Sequence, residues 1–370
     1  MLLCMRNFWL VSTLVLAMSA PLHAQLDCTN AATQAKCAQY ERSPLPPEAA
    51  LIPAPKRWPE CVSYRLYSGI GVPVDFGAAR RCAWSERLAL QAGLQPQDSR
   101  ANIFGGSAML SEIYANGAGT AKDPALALRF ACEAGGAPAE IEDRVASLEA
   151  RRDHPEKHTT RFDFCEATTS GFMMGACAGY GAEIQYAKQN AALQKLETSW
   201  TAAQRSAFDS LSQAQQAYAT AVGNGEVDLS GTARGMFATD AEARLRADFV
   251  AAIEAFEAGK LPHGGSAEAK AADAELNRVY RKQLVDAAAP GTRLPGQVQP
   301  EGIRKAERAW IVYRDSWLGF AKLRYPSVAP DAWLALLSRD RVRTMRSLSC
   351  DDGPGDEPCR ADGPGPHPLP

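Results

Sequence analysis

The stretch IRKAERAWIVYRDSWLGF, residues 303–320, repeats its apolar positions in alternating steps of three and four. Ile303, Ala306, Trp310, Tyr313, Trp317 and Phe320 therefore fall on one face of a single α-helix. Arg304, Lys305, Arg308 and Lys322 fall off that line and can stay in water. A helix with so heavy an aromatic face must bury it against other elements.

Outward from this helix the same signals recur. Ala, Glu, Leu, Arg and Gln fill the long segments, and β-branched runs of period two are missing. An all-α fold follows, expected as helical-hairpin repeats followed by an antiparallel helical bundle. Thr201 with Gln204 and Thr239 with Glu242 read as capping boxes that start helices. Pro138 and Pro330 suit first helical turns. Leu276, Tyr280 and Leu284 form a second stripe, expected to pack against Trp310, Tyr313 and Trp317 as an antiparallel hairpin. Asn277 with Asp315, and Arg314 with Asp273, are positioned to bond across it. These residues read mainly as hairpin-locking structure, with direct partner contact as the alternative.

The ends set the compartment. Arg6, the apolar run Phe8–Met18 and the small residues before Gln25 read as a signal peptide over 1–24. A membrane anchor needs about 20 apolar residues, and no downstream run reaches that, so no membrane insertion is expected after cleavage. A periplasmic or secreted location follows. Of ten cysteines, all but Cys4 lie beyond the leader. In an oxidising compartment the near neighbours are the natural pairs: Cys28 with Cys37, Cys61 with Cys82, Cys165 with Cys177, and Cys350 with Cys359. Cys132 is then odd. The formal charge of −2 becomes −3 without Arg6, which favours neither nucleic acid nor an anionic membrane.

Composition shifts suggest boundaries. Residues 25–60 are a cysteine-bearing segment ending in the proline-rich stretch Ser43–Pro59, which reads as an extended linker. Residues 61–150 and 161–348 are helical regions separated by the polar break Arg151–Arg161. The Gly/Pro-rich tail covers 351–370.

Within 61–150 a pattern occurs twice. Tyr67-Ser-Gly69-Ile-Gly71-Val-Pro-Val-Asp75 and Tyr114-Ala-Asn-Gly117-Ala-Gly119-Thr-Ala-Lys-Asp123 each join an aromatic helix end to a glycine turn and an Asp. An alanine-rich helix follows each. Glycine ends a helix in the left-handed conformation, and Asp can cap the next. The segment resembles Sel-one-like repeats, relatives of the tetratricopeptide hairpin. That resemblance implies a protein-binding scaffold, and its cysteine-rich members tie a hairpin's two helices by disulfide, which fits Cys61 with Cys82.

A second resemblance lies further on. Asp273-Ala-Glu-Leu276-Asn277-Arg-Val-Tyr280, then Ala306…Trp310-Ile-Val-Tyr313-Arg314-Asp315, looks like the lysozyme-inhibitor LprI-like family. Cys165 with Cys177, and Cys28 with Cys37, resemble that family's opening cysteine pair. Ser316 and Trp317 stand where the family often places a cysteine, and long extra helices, 183–221 and 239–258, precede Asp273. The resemblance implies an exported, non-enzymatic protein that binds a protein partner, a lysozyme. Such an inhibitor would plug the enzyme's cleft with a loop, or meet its basic surface with acidic residues such as Asp351, Asp352, Asp356 and Glu357.

No catalytic or metal site is expected, and no cofactor. His154 and His158 have metal-ligand spacing, but Pro155 sits between them in a polar break. His263-Gly-Gly-Ser266 lacks the strand and nucleophile elbow of a hydrolase. Gly223–Gly235 is a polar loop without the GK[ST] of a phosphate loop, and is kept as a docking candidate.

Overall fold

The computed structural model describes residues 30–289, 294 and 298–348. The expected leader, Cys28, and the tail with Cys350, Cys359 and its acidic residues lie outside them. The described residues form an all-α fold. The chain divides between Tyr180 and Gly181 into two compact units. No helix among the described residues is long and apolar enough to cross a membrane.

The first unit holds α1 (Ala31–Tyr40), α2 (Ser63–Ser68), α3 (Phe76–Gln91), α4 (Ala101–Phe104), α5 (Gly106–Asn116), α6 (Pro124–Glu133), α7 (Pro138–Asp153) and the start of α8 (Gly171–Glu197). Packing runs mostly between successive long helices: α2 on α3, α3 on α5, α5 on α6, α6 on α7. The two turns singled out in the sequence are built alike. Gly69 and Gly117 end α2 and α5 with φ of 73° and 68°, the left-handed conformation open to glycine. Asp75 and Asp123 then cap α3 and α6 through Ala78 N and Leu126 N, at 2.8 and 3.0 Å. The backbone N–H of each Asp donates to the preceding helix, to Leu66 O and Tyr114 O. Each loop is thus closed by the same set of bonds.

Glu86 of α3 sits buried at the centre of this stack. Its carboxylate accepts from Ser63 N and Ser63 Oγ at the start of α2, and from Gly106 N at the start of α5. One carboxylate therefore satisfies the open amides of two helix starts. In the same unit Trp84 meets Phe130 edge-on at 5.3 Å and Phe104 stacks on Tyr180 at 4.7 Å.

Three disulfides staple this unit: Cys37–Cys132, Cys61–Cys82 and Cys165–Cys177. The first corrects the expectation that Cys37 pairs with Cys28 and leaves Cys132 odd. The cause is tertiary. Helix α1 folds back onto α6 and α7, where Lys36 and Tyr40 also bond to Glu149. The proline-rich stretch is likewise not fully extended. It contains a 3-10 turn at Pro47–Leu51, and Arg129 reaches the carbonyls of Glu41 and Ser43 just before it.

The second unit continues through the rest of α8, α9 (Ala202–Gly225), α10 (Arg234–Glu257), α11 (Ser266–Ala288), α12 (Pro300–Arg324) and α13 (Pro330–Ser347). Thr201 and Gln204 cap each other at the start of α9. Thr239 does not start a helix, because α10 begins five residues earlier, at Arg234, and Thr239 lies inside it. Glu242 reaches across to Thr220 Oγ1 instead. The pairing of helices also differs from the expected hairpin. Helix α12 packs chiefly on α9 and α11 chiefly on α13, while α11 and α12 touch over a smaller area. Short loops enforce antiparallel neighbours, and the eleven residues between Ala288 and Pro300 exert no such constraint.

Candidate functional site

The aromatic face of α12 organises the second unit. Tyr313 stacks on Tyr218 of α9 at 5.4 Å. Trp317 stacks on Trp333 of α13 at 5.8 Å and meets Phe249 and Phe256 of α10 edge-on. Phe320 closes against Trp200 and against Phe208 of α9. One helical face thus fills the space between three others. The backbones of α9 and α12 touch where Gly225 meets Gly302: a Cβ on Gly225 would lie 2.8 Å from Gly302 Cα, and one on Gly302 2.6 Å from Gly225 O. Only glycine fits both positions.

The eight motif residues separate into two sets. Leu276 and Trp310 are buried, and Tyr280 and Tyr313 pack against the same core. Asp273, Asn277, Arg314 and Asp315 stay at the surface, and their bonds are local. Asn277 donates to the carbonyl and carboxylate of Asp273 one turn back. Arg314 donates to Asp315 and lies over the Trp310 ring. The expected bonds from Asn277 to Asp315 and from Arg314 to Asp273 are thus replaced by contacts within each helix, as follows from the helix pairing.

The polar lock of this unit lies elsewhere. Arg341 of α13 is 1% exposed and donates to both Glu226 oxygens, to Glu307 Oε2 at 3.0 Å and to the Tyr218 hydroxyl at 3.3 Å. It joins α13, α12 and the C-terminal end of α9. Burial raises the Glu307 pKa above its ordinary value, although Arg341 opposes this. Sequence reading missed Arg341, yet a signal exists: Trp333, Leu337, Arg341 and Met345 recur every four residues, so a lone cation sits on the apolar face. Glu226 also removes one residue of the Gly223–Gly235 loop from solvent.

The other sequence candidates take structural places. His154 ends α7 with Glu156 3.6 Å away. Gly265 caps α11, its N–H donating to Glu268, so the HGGS segment forms a helix start. In the first unit, Glu112 of α5 is buried beside Tyr67, Tyr180 and the Arg161–Asp163 segment. Burial, reinforced by Asp163, pushes its pKa up to about 8. Asn116, one turn on, holds that segment by both exchanging bonds with the Phe162 backbone.

Some apolar side chains remain outside both cores. Ile311, Val312 and Leu323 are exposed on α12, Val285 on α11, and Phe172 at the start of α8. Along α12 they lie opposite the aromatic face, among Arg304, Arg308 and Asp315. This outer face is an apolar feature that α12 offers to a partner.

Residues 265–346 match the family described as Lysozyme inhibitor LprI. The match runs from the cap of α11 through nearly all of α13, and so takes in all eight motif residues and Arg341. No curated protein and no solved structure matches the chain.

Proposed function

We propose that the chain is a non-enzymatic, exported binding protein of the cell envelope that binds and inhibits a lysozyme. The match of α11–α13 to the lysozyme-inhibitor family carries this reading. The three disulfides of the first unit support a periplasmic or secreted site, since such bonds persist in oxidising compartments. The leader-like residues 1–24 point the same way. In this reading α9 and α10 are a brace: their Tyr218, Phe249 and Phe256 hold the aromatic face of α12, leaving the opposite face, with Ile311 and Val312, to meet the enzyme. The aliphatic centre flanked by charges suits a protein interface, whose core is apolar and whose rim is polar.

The test is capture on lysozyme resin together with a cell-wall lysis assay. The proposal expects retention on the resin and dose-dependent inhibition. Neither binding nor inhibition at micromolar protein would end it.

A second reading is favoured by a separate observation, the like-built turns after α2 and α5. Here residues 61–150 act as a Sel-one-like scaffold that docks a periplasmic protein. Cross-linking in cells with full-length and repeat-deleted chains separates the two, because an unchanged partner set after deletion would leave the scaffold without a role.

A further inference from the structure

A cleft of about 410 Å³ opens in the first unit between α4, the α6–α7 loop, α7 and the start of α8. That volume lies in the range of small-ligand sites. Ile103, Phe172 and Met173 give it apolar walls, Asn102 gives it a hydrogen-bonding group, and Arg144 and Glu140 both line it.

Arg144 is 2% exposed. Its Nη1 donates to the carbonyls of Ala131 and Gly135 at 3.2 and 3.0 Å, and its guanidinium lies 3.9 Å from the centre of the Phe164 ring. Its Nε is buried with no hydrogen-bond partner among the described residues. The nearest carboxylate, Glu140, is committed elsewhere: it accepts from Thr169 N, Ser170 N, Ser170 Oγ and Ala137 N. Among the described residues the cation is therefore held by carbonyls and a ring, with no carboxylate bonded to it. A buried charge is stable when paired, and this one is incompletely paired. Burial lowers its pKa to about 10, which agrees. The rim adds a second observation. Phe172 is 71% exposed, an unusual setting for a phenylalanine at the mouth of a cleft. At the loop, a side chain on Gly136 would come within 3.4 Å of Glu140 Oε2 and Arg144 Nη2, so glycine keeps the approach to both charges open.

We propose that this cleft binds the free C-terminal carboxylate of a peptide ending in an apolar residue. Arg144 receives the carboxylate, Phe172 and Ile103 cover the apolar side chain, and Asn102 bonds the peptide's amide. A planar guanidinium suits a carboxylate because it presents parallel donors. The inference stands apart from lysozyme binding, which involves the other unit.

The test is calorimetric titration of the full, disulfide-intact chain with N-acetyl-leucyl-phenylalanine as the free acid and as its C-terminal amide. The expected result is saturable binding of the acid, with the amide weaker by about tenfold or more, the worth of a charge-assisted bond. Phe172→Ser, at an exposed position, should weaken the acid several-fold with an unchanged melting temperature. Arg144→Lys tests the geometry: it keeps the charge but loses the fork, and affinity should fall if it folds. Equal affinity for acid and amide, no saturable binding of the acid at millimolar peptide, or an unaffected Phe172→Ser would each overturn the proposal.

Discussion

Replacing Arg341 by methionine isolates the energetic centre of the second unit. Methionine keeps the apolar stem and removes the guanidinium, leaving Glu226 and Glu307 facing a buried space with no cation between them. Glu226 is 4% exposed and the Glu307 side chain 13%, so water does not readily replace the lost partner. Breaking a buried pair from one side costs about 3–5 kcal/mol, a large part of the roughly 5–15 kcal/mol that holds a domain together. Urea unfolding at neutral pH, followed by tryptophan fluorescence, measures it, since Trp310, Trp317 and Trp333 all lie in this core. Neutralising the stranded acid should help, so Glu226→Gln with Arg341→Met should be at least about 1 kcal/mol more stable than Arg341→Met alone. The pH dependence follows in sign. Burial already raises the Glu307 pKa, so the native state holds that proton more tightly than the unfolded chain. Loss of Arg341 raises it further, and the deficit should shrink as pH falls from neutral into the acid range. A cost below about 1 kcal/mol, the level of an exposed ion pair, would refute the buried lock.

Serine at both Cys37 and Cys132 should lower the stability of the first unit by at most about 4.7 kcal/mol, the chain-entropy value for a closed loop of this length, whose separation is 95 residues; a melt equal to that of the unaltered protein would count against the bond. Glu112→Gln should match the unaltered protein near pH 4.5 and gain on it by about 1.4 kcal/mol per pH unit as pH rises toward 8, because the native carboxyl stays protonated where the unfolded one ionises. Parallel pH curves would show that Glu112 is not buried as described. Asp123→Ala, which removes the side-chain bond to Leu126 N, should cost about 1 kcal/mol by urea unfolding. Val312→Asp changes an exposed position and should weaken lysozyme binding about tenfold or more without moving the melting temperature, and unchanged affinity would place the interface elsewhere.

The helical fold was legible because its signals are local. The three-four spacing from Ile303 to Phe320, the Thr201–Gln204 cap and the glycine–aspartate turns each act within a few residues, and each appears in the structure. What was not legible depends on contacts between distant segments. Cys37 has Cys28 nine residues away, yet it bonds Cys132, because α1 returns across α6. Leu276 and Trp310 belong to stripes that look complementary, yet α11 packs chiefly on α13 and α12 chiefly on α9. The Arg341 network joins residues separated by more than a hundred positions, and only the cation's place on an apolar face betrays it. Thr239 shows the opposite failure: a valid local signal was overridden because α10 had already begun. The cleft at Arg144 gave no sequence signal, since its walls come from four separate elements.

Hydrogen exchange on the full-length chain with and without lysozyme tests the functional reading most directly. Slower exchange on adding the enzyme, centred on α12 around Ile311 and Val312, is the predicted outcome. Protection confined to residues 61–150, or none at all, would contradict it.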